Sequence, residues 1–241
     1  MFFWGDRNGK NKYMLTRRMQ IEKFLDDYPG MFDEYEEATI RYYAGRVLTD
    51  EMLANDLMRE VYDELGMIPK DRNLYIDFIK FIKEIYPIKD MNIVEVGGGI
   101  LPKLGERISK MIGNGHITVY DPLITKYKKS TNRLTIKREY LTEKTPIRKT
   151  DLIVGLKPCK GAEAIIKAAT KNDIDFIIGL CEGGLHGDVY DYFESDDEWL
   201  SSTISFAERR VIDMGMGQLI KRRINKPYYQ YPIIYNRREI K

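Results

Sequence analysis

The spacing of apolar positions changes near residue 90 of the chain. Before that point apolar residues recur every three to four positions, which is typical of helices with one buried face, and the pattern indicates about four helices. The clearest covers residues 74–86, with Asp71 or Asn73 as its cap and Pro87 as its stop. We expect this helix to lie against the sheet that follows.

From residue 92 short apolar runs alternate with amphipathic stretches of helical period, which is the pattern of βαβ units and a mainly parallel sheet. The predicted strands cover residues 92–96, 116–120, 134–138, 151–156 and 174–180, and a closing pair covers 218–224 and 229–235. The predicted helices between them cover residues 102–111, 161–170 and 199–214. Pro232 indicates that the last strand is an edge strand or contains a bulge, because proline donates no ladder hydrogen bond.

These patterns predict an α/β protein with a Rossmann-like, mainly parallel sheet flanked by helices. The sheet domain is expected over residues 89–241 and a helical N-terminal region over residues 1–88. The helical region is interpreted as a lid, a substrate platform or a dimer contact, and the sequence does not choose among these. An oligomer formed through these helices is one of the open alternatives.

Composition narrows the function classes. No run approaches the roughly 18 apolar residues that a membrane span requires, and the first residues lack the order of a secretory signal, so we expect a cytoplasmic protein that does not enter membranes. Two cysteines are too few for a disulfide framework. A formal net charge of +2 does not by itself indicate a nucleic-acid partner.

The most informative segment follows the first predicted strand, where Gly97, Gly98 and Gly99 precede Leu101-Pro102 and a helix. Glycines at such a turn let the backbone approach a nucleotide-like cofactor closely. The dinucleotide fingerprint would require a glycine where the chain has Pro102, which counts against NAD. A turn that binds no ligand is the alternative interpretation.

With Glu95 placed two residues before the first glycine, Glu95-x-Gly97-x-Gly99 resembles motif I of class I S-adenosylmethionine (SAM)-dependent methyltransferases. In that family the acidic side chain and the neighbouring glycine backbone hold the methionine end of SAM. Leu101 stands where the family usually has a third glycine. The resemblance implies SAM as the cofactor and methyl transfer as the activity.

The second predicted strand is followed by Asp121 and Pro122. A carboxylate at the carboxyl end of this strand can accept hydrogen bonds from both hydroxyls of a ribose, so the resemblance implies that Asp121 is the ribose ligand. The alternative is an aspartate that caps a helix or a turn before Pro122.

The ends of the fourth and fifth strands resemble a narrower methyltransferase subgroup. In that subgroup the fourth strand runs into Leu-His-x-Cys-Gly and the fifth ends in Pro-Cys-Cys, and several members are RNA-modifying or uncharacterised. Here Leu156 is followed by Lys157 at the histidine position and by Cys159, while Cys181 is the single cysteine after the fifth strand. Both cysteines are expected at the carboxyl edge of the sheet, although each could instead be a small buried hydrophobic residue.

The resemblance thus implies a set of cofactor-binding residues at the carboxyl edge of the sheet. They are Glu95, Gly97, Gly98, Gly99, Leu101, Asp121, Pro122, Gly155 and Leu156. Substrate contacts are assigned to Lys157, Cys159 and Cys181, and the position in the chain makes Glu182, His186 and Glu163 candidates for a general base. No metal site is expected.

The methyl acceptor is not identified by the sequence, which leaves a small molecule, a protein and an RNA open. Two other functions compete with methyl transfer. The segment 97–102 also resembles the G-x-G-P-L-P segment of nicotianamine-synthase-like enzymes, which transfer the aminocarboxypropyl arm of SAM. A non-catalytic SAM-binding or scaffold protein is the third hypothesis, because a fold does not fix a function.

Overall fold

The structure, a computed structural model, describes residues 7–44, 46, 48–49, 52, 55–181, 195–226 and 229–237, with the backbone alone for residues 7–15. The chain forms two compact units. One contains residues up to 72 together with 125–127, and the other contains residues 73–124 and those from 128 onward. None of the helices in the described ranges combines the length and the apolar character that crossing a bilayer requires.

The first unit contains helices α1 (Arg7–Asp27), α2 (Glu34–Ala44) and α3 (Asp56–Glu64), followed by a short 3₁₀ turn at Lys70–Arg72. Buried apolar side chains from all three helices form its interior: Ile21, Phe24, Leu25, Ile40, Met58, Val61 and Tyr62. Helix α3 begins where the Asn55 side chain accepts a hydrogen bond from the Met58 N–H at 3.0 Å. This cap satisfies one of the otherwise unpaired N–H groups of the first helical turn.

The second unit is built on a seven-stranded sheet in the order β3-β2-β1-β4-β5-β7-β6. The strands are β1 (Asn92–Val96), β2 (His116–Tyr120), β3 (Leu134–Lys137), β4 (Leu152–Leu156), β5 (Asp175–Gly179), β6 (Gln218–Lys226) and β7 (Tyr229–Arg237). The first five strands run parallel, whereas β7 runs antiparallel to both of its neighbours, β5 and β6. The predicted fold class is confirmed.

Helices cover both faces of this sheet. They are α4 (Leu74–Ile85), α5 (Lys103–Ser109), α6 (Gly161–Asn172) and α7 (Asp196–Asp213), and a 3₁₀ turn at Ile88–Asp90 leads into β1. Apolar residues of α4 and α5 share one buried cluster with one face of the sheet, while those of α6 and α7 share a second cluster with the other face. The central strands β1, β4 and β5 are therefore covered on both sides, which explains their nearly continuous apolar sequences.

Helix α4 packs on the sheet as its sequence predicts. The Asn73 side chain caps it by accepting the Ile76 N–H at 3.2 Å, and Phe78 lies with its ring 6.3 Å from that of Tyr231 in β7. Asp77 is buried, accepts a hydrogen bond from the Tyr229 hydroxyl and pairs with Lys226 at 3.6 Å. Burial alone would raise the pKa of Asp77, but its hydrogen bonds and nearby ammonium groups outweigh that effect and lower it.

The predicted position of the last strand is wrong in one respect. Pro232 lies in β7, which is enclosed between β5 and β6 instead of forming an edge. The Pro232 carbonyl accepts the Leu180 N–H at 2.9 Å, so its missing N–H also faces the side of β5. Pairing between β5 and β7 ends at Gly179 and Ile233, so no strand continues the ladder on the side of the missing N–H, while β6 pairs with Pro232 through Arg223 on the other side.

Pro158, just beyond the end of β4, packs between the carboxyl ends of the central strands. A Cβ atom on Gly97, which follows β1, would stand 2.8 Å from the Pro158 Cα, and a Cβ on Gly155 in β4 would stand 2.9 Å from its Cγ. Gly97 also has φ +80°, a conformation that L side chains rarely adopt. The turn after β1 and the end of β4 can therefore meet only if both positions lack a side chain.

We predict that Gly97→Ala lowers the free energy of unfolding by about 2–5 kcal/mol, since positive φ and overlap with the Pro158 backbone add. Gly215→Ala is the matched control, because Gly215 has φ +66° but no atom within 4 Å of the added Cβ. The control variant should lose about 1–2 kcal/mol from backbone strain alone. Urea unfolding followed by circular dichroism measures both values, and equal losses in the two variants would contradict the proposed overlap.

Candidate active site

The candidate site lies at the carboxyl ends of β1, β2 and β4. In the sheet β1 stands between β2 and β4, so the connections leaving β1 and β4 depart to opposite sides. Open α/β sheets bind ligands in the crevice at such a reversal. The glycine turn, Asp121 and the segment from Gly155 to Cys159 all emerge at this edge.

The three glycines after β1 differ in what they do. The Gly97 N–H donates to the Tyr120 carbonyl at 3.1 Å, which continues the β1–β2 pairing into the turn. A Cβ on Gly98 would stand 2.7 Å from Cγ1 of Val119, so this glycine is required by packing within the protein. Gly99, at φ +69°, donates its N–H to Asp121 Oδ2 at 2.9 Å.

Asp121 is a buried carboxylate of the site, with 8% of its surface exposed. Its Oδ1 accepts the Leu123 N–H at 2.7 Å and its Oδ2 accepts the Gly99 N–H, so the side chain joins two turns. Burial raises the pKa of Asp121, and the two backbone hydrogen bonds partly oppose this increase. Each carboxylate oxygen can accept more than one hydrogen bond, so Asp121 retains the capacity to accept ligand hydroxyls.

The interpretation of Asp121 as a turn aspartate before Pro122 is confirmed by the Leu123 hydrogen bond. Its interpretation as a ribose ligand is compatible with the same geometry and stays a prediction. Pro122 itself is half-buried, in the middle of this turn.

Glu95 lies between the sheet and helix α5. It is 2% exposed, and a Cβ on Gly105 would overlap its carboxylate. Leu101, farther along the turn, has a fully buried side chain. The structure thus places both side chains in the interior. The assignment of Glu95 to the methionine end of SAM, and that of Leu101 to the cofactor site, stay predictions.

The ends of β4 and β5 lie side by side. Gly155 and Leu156 are buried within β4, and the Lys157 N–H donates to the Gly179 carbonyl at 2.7 Å. Cys159 and Cys181 meet at this edge with their Sγ atoms 3.4 Å apart. The expected position of both cysteines at the carboxyl edge is confirmed, and both side chains are partly exposed.

Of the three candidates for a general base, the structure describes one. Glu163 lies in the first turn of α6, on its exposed face, where its carboxylate pairs with Lys167 at 2.5 Å. Glu182 and His186 lie outside the described residues. Within the described ranges, no group of three or more His, Cys, Asp or Glu side chains is placed to hold a metal ion.

Two residues of the site were not predicted from the sequence. Pro158 is recognisable as important only once the neighbouring glycines are placed around it. Leu123 is 68% exposed although it follows directly on the buried turn of Asp121, so it presents an apolar surface beside that carboxylate. Its sequence signal is an apolar residue immediately after a strand-ending Asp-Pro pair.

No family model and no curated protein matches this sequence. Among solved structures, the chain is similar to magnesium protoporphyrin IX methyltransferase from Synechocystis PCC 6803 with bound SAH, at 11% identity and a TM-score of 0.50. That match covers 89% of this chain and 98% of the other. A SAM-dependent methyltransferase from Aquifex aeolicus is 17% identical over 73% of this chain and 97% of its own, with a TM-score of 0.44.

The first of these matches extends over nearly the whole of both chains, and its identity is low enough that it establishes the fold alone. In this chain the sheet has the order β3-β2-β1-β4-β5-β7-β6, with the antiparallel β7 between β5 and β6. The chain therefore has the Rossmann-like fold of class I SAM-dependent methyltransferases.

Proposed function

We propose that this protein is a SAM-dependent methyltransferase. The observation that carries the proposal is the hydrogen bond between Asp121 and the Gly99 N–H, which sets a buried carboxylate directly against the glycine turn. This arrangement offers an acceptor for the two hydroxyls of a ribose at the reversal point of the sheet. The solved structure with the same fold was determined with SAH, which supports an adenosyl ligand for this chain.

The residues at the site fit such a cofactor. Asp121 would accept the ribose hydroxyls, and the exposed Leu123 beside it offers an apolar surface for the adenine ring. Glu95 and the glycine turn are proposed for the methionine end. Gly155 and Leu156 complete the set on the side of β4.

SAM supplies a methyl group that its sulfonium has already activated. The task left to the protein is to hold the acceptor in line with that group and to exclude water. Lys157, Cys159 and Cys181 emerge at the neighbouring strand ends, and we propose that they face the acceptor. A general base is required only when the acceptor must lose a proton, and Glu163, Glu182 and His186 remain candidates for that role.

The narrower likeness to the subgroup with cysteines after the fourth and fifth strands is also a proposal. It is supported by the contact between Cys159 and Cys181, which unites the two segments that carry the likeness. A small molecule, a protein and an RNA remain the classes of acceptor.

The function is tested first by ligand-dependent thermal unfolding. We expect SAM and SAH to raise the unfolding midpoint and NAD to leave it unchanged, because only a ligand that binds the native state stabilises it. No shift with either adenosyl compound would contradict the proposal. In turnover assays, SAH as the product supports methyl transfer, methylthioadenosine indicates transfer of the aminocarboxypropyl arm, and tight binding without turnover indicates a scaffold.

Asp121→Asn should weaken SAH binding by about 1–3 kcal/mol, or roughly fivefold to 150-fold in Kd, because a charge-assisted acceptor becomes neutral. Asp151→Asn is the control, since the Asp151 carboxylate also accepts a backbone N–H, that of Asn92 at 2.7 Å, but at the amino ends of β1 and β4. Calorimetric titration gives both affinities. An unchanged Kd in the Asp121 variant rejects the ribose assignment.

The raised pKa of Asp121 gives binding a pH dependence. SAH affinity should fall as the pH is lowered through this pKa, which lies above the ordinary value of 3.8, since the protonated carboxyl is a poorer acceptor. Stability should respond in the opposite sense. Because the folded-state pKa is raised, the contribution of Asp121 to stability is fully present below pH 3.8 and is lost as the pH rises through the folded pKa.

Both effects are measured as differences between the wild type and Asp121→Asn, so that titration of the ligand and of other groups cancels. The difference in SAH affinity should grow with pH, and the difference in free energy of unfolding should shift in favour of the variant. Parallel pH profiles for the two proteins would show that Asp121 does not titrate in this range.

A further inference from the structure

The two cysteines of the chain come together although 22 residues separate them. Cys159 follows β4, Cys181 follows β5, and their Sγ atoms are 3.4 Å apart. This separation is a contact between two thiols that are not bonded. Forming a disulfide would bring the sulfurs to roughly 2 Å, a movement of little more than 1 Å.

The backbone holds both cysteines at this edge. β4 and β5 are parallel neighbours with Leu156 opposite Gly179, and the Lys157 N–H donates to the Gly179 carbonyl at 2.7 Å. On the other side, the Leu180 N–H donates to the Pro232 carbonyl at 2.9 Å. Lys157, two residues before Cys159, and Leu180, directly before Cys181, are therefore fixed by hydrogen bonds to adjacent strands.

The chain around Pro158 adopts a conformation that non-glycine residues rarely take. Lys157 has φ +52° and Cys159 has φ +46°. Such positions persist where the surrounding structure enforces them, and they concentrate at functional sites. Here the conformation directs the Cys159 thiol towards Cys181.

Cys159 also lies at the start of helix α6, where its carbonyl accepts the Ala162 N–H at 3.0 Å. The Cys159 thiol donates to the Lys157 carbonyl at 3.6 Å, which favours the thiol, whereas the positive end of a helix favours the thiolate, the form that attacks disulfides. Because both cysteines are partly exposed, a small reagent can reach them.

We propose that Cys159 and Cys181 form a thiol–disulfide exchange site for low-molecular-weight disulfides. The Cys159 thiolate attacks one sulfur of the reagent RSSR, forming a mixed disulfide and releasing RS⁻. Cys181 then attacks the Cys159 sulfur, releases the second thiol and completes the protein disulfide. Overall, the two protein thiols are oxidised, RSSR is reduced to two RSH, and both protons pass to the released thiols. The site is independent of the identity of the methyl acceptor.

The test uses the full reduced chain and oxidised glutathione, with the products analysed by intact mass and peptide mapping. The wild type should lose two hydrogens, show no stable glutathione adduct and form no disulfide-linked dimer. It should also yield a cross-linked peptide pair containing Cys159 and Cys181. Reduced glutathione in excess should restore both thiols. Glutathione adducts that accumulate on the wild type, or links between two chains, would overturn the proposal.

Two serine variants serve as matched controls. Cys181→Ser should stop at a stable glutathione adduct on Cys159, because no second thiol can resolve it, and Cys159→Ser should react more slowly at Cys181. Circular dichroism verifies that both variants are folded. If Cys159 in the Cys181→Ser variant reacts no faster than the same residue in urea-unfolded protein, the site has no activated thiol and the proposal fails.

Discussion

The packing of Pro158 against Gly97 and Gly155 is the contact on which the arrangement of the carboxyl edge of the sheet depends. It brings the turn after β1 against the segment after β4 without any side chain between them. On one side, the turn presents the Gly99 N–H to Asp121. On the other, the left-handed residues Lys157 and Cys159 flank Pro158, and Cys159 contacts Cys181. The proposed cofactor residues and the thiol pair thus share one structural support.

This packing changes how the glycines in the turn are explained. Their pattern resembles a cofactor-binding motif, and such a motif is commonly explained by the approach of a ligand. In this protein, the space beside Gly97 is occupied by Pro158 and that beside Gly98 by Val119. Packing within the protein is sufficient to require glycine at both positions. The evidence for a ligand rests instead on Asp121. Burial disfavours the charge of this carboxylate, and the turn by itself would not require a charged side chain there.

Much of the fold could be predicted because its central strands are buried on both faces. β1 and β2 begin and end at the predicted residues, since an apolar run bounded by polar residues or glycine has few alternatives. The position of β7 could not be predicted, because proline is penalised only on the side of its missing N–H, and the pairing with β5 ends before Pro232 on that side. Within the site, the position of Asp121 at the end of β2 could be predicted from the sequence. The contact between Cys159 and Cys181 was not, since it depends on β4 and β5 being neighbours.

The enclosed position of β7 also affects how the nascent chain completes its sheet. β6 leaves the ribosome before β7, yet it joins the sheet only through β7. Until β7 emerges, the edge of β5 remains unpaired, and Asp77 in α4 lacks its hydrogen bond from the Tyr229 hydroxyl. Unpaired strand edges promote association between chains. During synthesis, the interval before β7 docks is therefore one in which the unpaired edge of β5 can associate with other copies of the chain.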